Sequence, residues 1–414
     1  MNVPVRNAWL PAADAAHLLG VTRPTLYAYV SRGFVRSQAV PGSTRERVYA
    51  REDLDRLRQK ANRARTTDPV DARVLQWGLP VLESAITLID GQHLYYRGHD
   101  AVSLAGSCSV EEVAALIWTG RLDRVGALHA GRPPRTRRRG REIPRFRNLP
   151  YIARAQALLA IEAARDPAAF DLRPDSVAAT GWRIVRLVTS AATWTDGGGT
   201  VDEALARAWG LDGGAVPVLR AILILCADHE LNVSSFTARS VASAGSHLYG
   251  VVVAGLAALE GPRHGGASAR VEAVLASLRR ARRLGPSIAE KLRRGEPLDG
   301  FGHPLYRDGD PRARALLGML EACYGRMAEC RYVIEFARTA ASATGEQPNL
   351  DFALAAAARV LRLPAGSPLV LFAIGRSIGW IGHAIEQYAA GHLIRPRARY
   401  VGVVPMPAAG GATP

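Results

Sequence analysis

The chain of 414 residues is 48% hydrophobic and carries a net charge of +16. It is long enough for more than one domain and too apolar for a disordered protein. Its longest apolar run, Leu248 to Leu259, is shorter than the ~20 residues of a membrane-spanning helix. No basic and then apolar leader opens the chain. We therefore expect a globular, cytoplasmic protein with no membrane partner.

The positive charge is concentrated in two segments. Residues 1–65 hold twelve Lys and Arg against five Asp and Glu, and residues 132–147 hold eight Arg against Glu142 alone. Repulsion among the arginines predicts a solvated surface loop for the second segment, and contact with nucleic acid or an acidic cofactor stays open as an alternative. The only lysines are Lys60 and Lys291, and no Gly-Lys-Ser/Thr sequence occurs, which excludes a Walker-type phosphate loop.

Three short helices and a hairpin are predicted at the start of the chain. Leu10 to Val21 has the pattern of a helix that ends in a glycine turn. A second helix follows over Thr22 to Val30, where Thr22 is a suitable N-cap. Arg32 to Val48 contains Pro-Gly between extended pieces and predicts a wing, and a third helix starts at Arg51. A polar linker is expected over residues 61–70.

This pattern resembles the winged helix-turn-helix of MerR and excisionase-like proteins over residues 8–60. Such a module implies DNA binding through residues 1–65, and it implies a dimer because one module alone binds weakly. The alternative is a module retained for packing or assembly. The side chains expected to reach phosphates or a groove are Arg23, Thr25, Tyr29, Arg32, Arg36, Arg45 and Arg47.

Neither disulfides nor a metal site is expected. The four cysteines, Cys108, Cys226, Cys323 and Cys330, form no CxxC pair, and we predict buried free thiols in a reducing compartment. The histidines are not at the spacing of metal ligands and no cysteine accompanies them.

A buried helix is predicted to carry a charged pair at its end. Val218 to Ala227 is almost wholly apolar, and Asp228 and His229 follow it directly. Charged groups at the end of a buried helix must be paired or must face a ligand. Arg376 must likewise be paired or face an anion, because it stands inside the mostly apolar run from Leu369 to Ile385.

Three further motifs present two imidazoles and a carboxylate at backbone turns. They are Gly261-Pro262-Arg263-His264-Gly265-Gly266, Gly300-Phe301-Gly302-His303 and Asn349-Leu350-Asp351-Phe352. These are the groups that proton abstraction next to a carbonyl requires. Asp351 lies 87 positions after His264 and 48 after His303, so the fold must bring them together.

With Ile89-Asp90-Gly91 and Leu94-Tyr95-Tyr96-Arg97-Gly98-His99, these motifs resemble the citrate synthase family from Val81 to Gly402. The resemblance implies a mostly α-helical fold with a two-domain body behind the winged helix-turn-helix of residues 1–65. The large domain would comprise residues 66–266 and 361–414, and the inserted small domain residues 267–360. The active site would lie in the cleft between them.

The resemblance also assigns roles. His264 would stabilise the enolate of acetyl-CoA, Asp351 would remove the methyl proton, and His303 would polarise the ketone of oxaloacetate. The residues expected to bind oxaloacetate are His229, Arg312, Arg376 and Arg395, and Arg307 would contact a CoA phosphate. Arg395 would enter the site of the partner subunit, which implies a homodimer. The reaction implied is condensation of acetyl-CoA with oxaloacetate to citrate and CoA, without a cofactor.

Two departures and two alternatives accompany this interpretation. Pro304 stands where the family has a non-proline residue, and His247 stands where it favours Asp. The acyl donor could be propionyl-CoA, which would give a 2-methylcitrate synthase. A transcriptional regulator with a metabolite-sensing body is the alternative from another class, but a pure sensor needs no base at Asp351.

Overall fold

In the computed structural model, residues 9–19, 21, 26–27, 29–30, 35–40, 47–55, 82–129, 143–195, 198–398 and 400–403 are described. The chain divides into two compact units, Met1–Glu83 and Ser84–Pro414. The predicted linker at 61–70 and most of the arginine-rich segment at 132–147 lie outside the described residues.

The first unit contains a three-stranded antiparallel sheet and short helices. Its elements are β1 (Trp9–Pro11), α1 (Ala12–Leu19), β2 (Ser37–Ala39) and β3 (Arg47–Ala50), with strand order β1-β3-β2. The pairing of β2 with β3 confirms the predicted wing. The first helix starts at Ala12 rather than Leu10, because Leu10 pairs with Tyr49 and a residue before proline favours extended backbone.

A small core holds this unit together. Residues 26–27, 29–30 and 51–55 are helical, as expected for the second and third helices. The buried side chains are Ala15, Ala16, Leu19, Leu26, Val35, Tyr49 and Leu54. Leu26 faces inward as predicted, and Val30 packs at the edge of the core. Thr22 and the Pro-Gly of the wing lie outside the described residues.

The second unit opens with an antiparallel meander and is otherwise helical. The strands are β4 (Thr87–Asp90), β5 (His93–Tyr96) and β6 (His99–Asp100), in that order. The α-helices that follow are α2 (Ala101–Ser107), α3 (Val110–Thr119), α4 (Val125–Leu128), α5 (Tyr151–Ala163), α6 (Pro174–Thr193), α7 (Val201–Ala208), α8 (Val216–Leu225), α9 (Val233–Ser243), α10 (Leu248–Leu259), α11 (Ala267–Leu278), α12 (Leu284–Arg293), α13 (Pro311–Tyr324), α14 (Ala328–Thr344), α15 (Leu350–Val360) and α16 (Ser367–Ala390).

The core of this unit is built around α16, which packs against α6, α8, α9 and α10. By length and composition α16 could cross a membrane, but 83% of its apolar window is buried inside the structure, as in the core helix of a globular protein. The apolar run Leu248–Leu259 forms α10, a core helix as predicted. Every residue from Val218 to Ala227 other than Arg220 is fully buried, consistent with its apolar sequence.

Local sequence signals explain two helix starts. Ser109 and Glu112 form a capping box at the start of α3. His247 caps α10, because its Nδ1 accepts a hydrogen bond from the Gly250 backbone N–H at 3.0 Å. Since aspartate is also a favoured N-cap, this departure from the family pattern preserves the capping function. The four cysteines are free, but only Cys226 and Cys330 are buried, so the prediction of burial was wrong for the exposed Cys323.

Candidate active site

The ends of several helices bring the predicted chemical groups into one region. Asp228 and His229 follow α8, His264 lies in the turn before α11, and His303 precedes α13. Arg312 and Asp351 lie in the first turns of α13 and α15, and Arg376 lies inside α16. The charges of Arg312 and Arg376 both act on His229, whereas His264 is affected by Arg376 and Asp351 by Arg312. The two guanidinium groups therefore connect the predicted catalytic and substrate-binding residues.

Three aromatic rings meet around His229. The His229 ring lies 5.2 Å from that of His303 and 5.6 Å from that of Tyr306, centroid to centroid. Nε2 of His229 shares a 2.9 Å hydrogen bond with the Tyr306 hydroxyl. Burial, with the positive charge of Arg312, holds the pKa of His229 well below its usual value. The imidazole is therefore neutral at physiological pH.

The loop that carries His303 fixes the ring's tautomer. The backbone N–H of Leu305 donates to Nδ1 of His303 at 3.1 Å, so the neutral ring carries its proton on Nε2. Burial, aided by Arg312, lowers the pKa of His303 to about 4. Gly300 enters this loop at φ +91°, where a Cβ would lie 2.8 Å from Val271. The exposed Pro304 is accommodated beside His303.

His264 is held by hydrogen bonds from the neighbouring helices. Its Nε2 lies 2.9 Å from Oγ of Ser234, which also accepts a hydrogen bond from the indole N–H of Trp380 at 3.1 Å. The imidazole packs edge-on against Phe372. Burial, with the charge of Arg376, lowers the pKa of His264 to about 4, so this ring is also neutral.

Asp351 is a buried carboxylate with a raised pKa. Asn349 caps α15 and accepts a hydrogen bond from the Asp351 backbone N–H. Oδ1 of Asp351 accepts a 2.5 Å hydrogen bond from Ser268. Burial raises the pKa of Asp351 above its usual value even though Ser268 and Arg312 favour the ionised form. A more basic carboxylate is the property that a proton-abstracting group needs.

Arg312 and Arg376, the two buried arginines predicted to bind the substrate, differ in how their donors are used. Arg312 makes a fork-shaped pair with Asp310, at 2.9 and 2.7 Å, and Asp310 also accepts the backbone N–H of Leu350. Burial would lower the pKa of Arg312, but Asp310 more than offsets it and the pKa is raised. This pair therefore ties the start of α13 to the start of α15.

Arg376 has an unused donor. Its Nε donates to the Cys226 carbonyl at 2.7 Å and its guanidinium lies 4.6 Å from the Phe372 ring, but Nη1 is buried with no hydrogen-bond partner in the described part of the chain. Burial lowers the pKa of Arg376. Glu386, too far along α16 to reach it, instead pairs with Arg97 and Arg239. A buried, unpaired guanidinium N–H fits an anionic ligand.

Two predicted ligand residues are exposed, unlike the buried Arg312 and Arg376. Arg307 and Arg395 are both exposed in the single chain. Arg395 follows α16 in an extended segment that is anchored where the Ile394 N–H donates to Ser243. Within the described residues, no group of three His, Cys, Asp or Glu side chains is arranged to hold a metal ion.

Only three of the predicted DNA-contact residues are described. Arg36 is exposed but pairs with Asp53 and Glu52, and Arg47 hydrogen-bonds Ser37 across the wing. The Tyr29 side chain packs against the small core. The remaining candidates, which lie outside the described residues, are Arg23, Thr25, Arg32 and Arg45.

Comparison with known proteins agrees with this geometry. Residues 75–397 match the family model "Citrate synthase, C-terminal domain". The chain belongs to the citrate synthase family. Residues 10–60 match the model "MerR HTH family regulatory protein", which identifies the first unit as a helix-turn-helix module.

Relatives of this citrate synthase family member carry two names. This chain is 31% identical to "Citrate synthase" of Haloferax volcanii, over 78% of this chain and 94% of that protein. It is 28% identical to "2-methylcitrate synthase 1" of Corynebacterium glutamicum, over 76% and 90%. Its 38% identity to "Citrate synthase 2" of Bacillus subtilis covers 45% of this chain and about half, 51%, of that relative. The crystal structure of citrate synthase from Thermotoga maritima superimposes with a TM-score of 0.66 at 27% identity, over 80% and 95%.

Several site residues escaped the sequence interpretation. Ser234, Ser268 and Tyr306 each hydrogen-bond a predicted functional residue, and Asp310 pairs with Arg312. Ser234 and Tyr306 stand close to the motifs of His229 and His303. Ser268 lies 83 positions from Asp351, and no local pattern distinguishes it from any other serine.

Proposed function

We propose that this chain is a citrate synthase, which condenses acetyl-CoA with oxaloacetate and hydrolyses the resulting thioester to citrate and CoA. The observation that carries the proposal is the buried, unpaired Nη1 of Arg376 beside neutral imidazoles. Oxaloacetate is a dianion, and its carboxylates suit guanidinium donors that have no other partner. We propose that Arg312, Arg376 and Arg395 bind these carboxylates and that His229 contributes a further hydrogen bond.

The first chemical step is enolisation of acetyl-CoA. Asp351 takes a methyl proton as its raised pKa favours, and His264 donates to the thioester oxygen as negative charge develops there. Because Nε2 of His264 faces Ser234, the ring nitrogen left for the thioester is Nδ1. A neutral imidazole with its proton on Nδ1 requires that Ser234 donate to Nε2.

The second step forms the carbon–carbon bond. The Nε2–H of His303 polarises the ketone of oxaloacetate and gives its proton to the alkoxide as the enolate carbon attacks, and the ring regains a proton from the water that attacks the thioester. Water then cleaves the citryl thioester, so acetyl-CoA, oxaloacetate and water yield citrate, CoA and one proton. We infer that the predicted small domain, residues 267–360, closes over the large domain to exclude bulk water until this point.

The exposure of Arg395 and Arg307 bears on the oligomeric state and on CoA binding. Arg395 is exposed in the single chain, which supports a homodimer in which it enters the partner's site. The exposure of Arg307 suits a contact with a CoA phosphate. The free cysteines are consistent with a cytoplasmic location.

A CoA-release assay tests the reaction. Acetyl-CoA and propionyl-CoA are compared in the presence of oxaloacetate, because some relatives are named 2-methylcitrate synthase and one methylene separates the acyl donors by only ~1–3 kcal/mol. Asp351→Ala should abolish turnover, whereas Asp123→Ala, at an exposed ion pair, should not. If the native protein binds oxaloacetate but releases no CoA from either donor, the sensor alternative replaces the enzyme.

We further propose that residues 1–65 bind DNA as a separate property of the protein. The MerR match, the wing and the basic excess of this segment support the proposal. Gel shifts at increasing salt should show binding that falls steeply with ionic strength and is lost when residues 1–65 are deleted. Equal retention of DNA by the deleted protein would assign binding elsewhere.

A further inference from the structure

One face of α16 contacts both halves of the site. Residues 376, 379, 380 and 383 are spaced i, i+3, i+4 and i+7, so they line the same side of the helix. All four are buried. Arg376 donates to the end of α8, and Gly379 lies so close to it that a Cβ would be 2.3 Å from the Ala227 carbonyl. The other two residues have no role in the mechanism above.

Trp380 influences His264 through one shared oxygen. Its indole N–H can only donate, and it uses one lone pair of the Ser234 hydroxyl. The hydroxyl proton then points either to Nε2 of His264, at 2.9 Å, or to Oδ1 of Asn232, at 2.8 Å. The second lone pair of the hydroxyl stays free, so Ser234 can also accept a hydrogen bond from Nε2–H of His264. The indole holds the Ser234 oxygen beside Nε2, which leaves Nδ1 of His264 to face the thioester in the proposed enolisation.

The packing around Trp380 holds it in this place. The side chain is fully buried, and Gly255 of α10 lies against its ring, where a Cβ would be 2.5 Å from the indole. The indole therefore has little freedom to turn away from Ser234.

His383 influences the oxaloacetate end through Asp228. Its Nε2 lies 3.2 Å from Oδ1 of Asp228, and Thr87 donates to Oδ2 at 2.5 Å. Nδ1 of His383 has no partner in the described residues, so we assign the donated proton to Nε2. Asp228 precedes His229, and its negative charge favours the charged form of Arg376. The Asp228 carboxylate can therefore set the positions of His229 and Arg376, two of the residues proposed to bind oxaloacetate.

We propose that Trp380 and His383 are positioning residues that serve different substrates. Trp380 supports enolisation of the acyl-CoA through Ser234. His383 supports oxaloacetate binding through Asp228. The inference rests on the proposed function, because it assigns these two residues to its two half-reactions.

Steady-state kinetics of matched variants separate the two roles. Trp380→Phe keeps an aromatic ring but loses the donor, and it should slow exchange of the acetyl-CoA methyl protons and kcat about tenfold, with the KM for oxaloacetate within twofold of native. His383→Leu should raise the KM for oxaloacetate about tenfold and leave methyl exchange at saturating oxaloacetate within twofold. His383→Gln keeps an N–H donor and should restore most of the affinity. Ile381→Val, buried on the same helix without a polar contact, should change neither quantity.

The inference fails if Trp380→Phe and His383→Leu each change both methyl exchange and the KM for oxaloacetate. It also fails if His383→Gln has the same KM for oxaloacetate as His383→Leu. Thermal melts exclude variants that have not folded. Should the native protein prove to have no turnover, the proposed function fails, and two binding measurements still decide the inference. Calorimetry should show weaker oxaloacetate binding for His383→Leu alone. The ring ¹⁵N shifts of His264, assigned with His264→Gln, should move in Trp380→Phe alone, and unchanged shifts would overturn the proposed role of Trp380.

Discussion

Ser268→Ala should move the acidic limb of the pH–rate profile to higher pH. The Ser268 hydroxyl donates to Asp351 at 2.5 Å and is the main influence that favours the ionised carboxylate against the effect of burial. A hydrogen bond to a charged group contributes about 1.5–3 kcal/mol, and one pKa unit corresponds to about 1.4 kcal/mol. Removing the donor should therefore raise the pKa of Asp351 further, because its ionised form loses about 1.5–3 kcal/mol of stabilisation.

The direction of this pH shift follows from the proposed role of Asp351 as a base. A raised pKa leaves less carboxylate ionised at low pH, so kcat/KM for acetyl-CoA should fall below native as pH decreases from 8 to 5. The measurement is kcat/KM in half-unit steps over this range for the native protein, Ser268→Ala and Ser268→Thr. The threonine variant keeps the hydroxyl, so the acidic limb of its pH–rate profile should stay at the native pH. An unchanged limb in Ser268→Ala would refute the assignment of Asp351 as the titrating base.

Two further substitutions test the packing that supports the site. Asp310→Ala should lower the free energy of unfolding by about 3–5 kcal/mol in urea titrations, because it leaves the buried Arg312 unpaired, whereas Asp123→Ala at an exposed pair should change it little. Gly255→Ala places a Cβ 2.5 Å from a buried indole and should cost about 1–3 kcal/mol. Gly106→Ala, which meets nothing within 4 Å, should not destabilise; equal melting temperatures for the two alanine variants would contradict the close approach.

The fold was largely predictable from local patterns. The buried helix before Asp228, the core helix Leu248–Leu259 and the capping box at Ser109 each depend on residues close together in sequence. The first helix was misplaced by two residues because a strand partner 39 positions away, Tyr49, holds Leu10 in extended backbone. Long-range pairing of this kind leaves no trace in a short window.

By itself, the sequence determined which groups are proposed to perform the chemistry. His264, His303 and Asp351 stand in motifs whose glycines, proline and cap are local, so both the residues and their turns could be read directly. Only the tertiary structure decided which groups hydrogen-bond the site residues and shift their pKa values. The partners lie 30, 83 and 155 positions apart for Ser234 with His264, Ser268 with Asp351, and Asp228 with His383. The physical reason is that a hydrogen bond and the burial that shifts a pKa depend on distance in space, which the packing of helices around α16 sets.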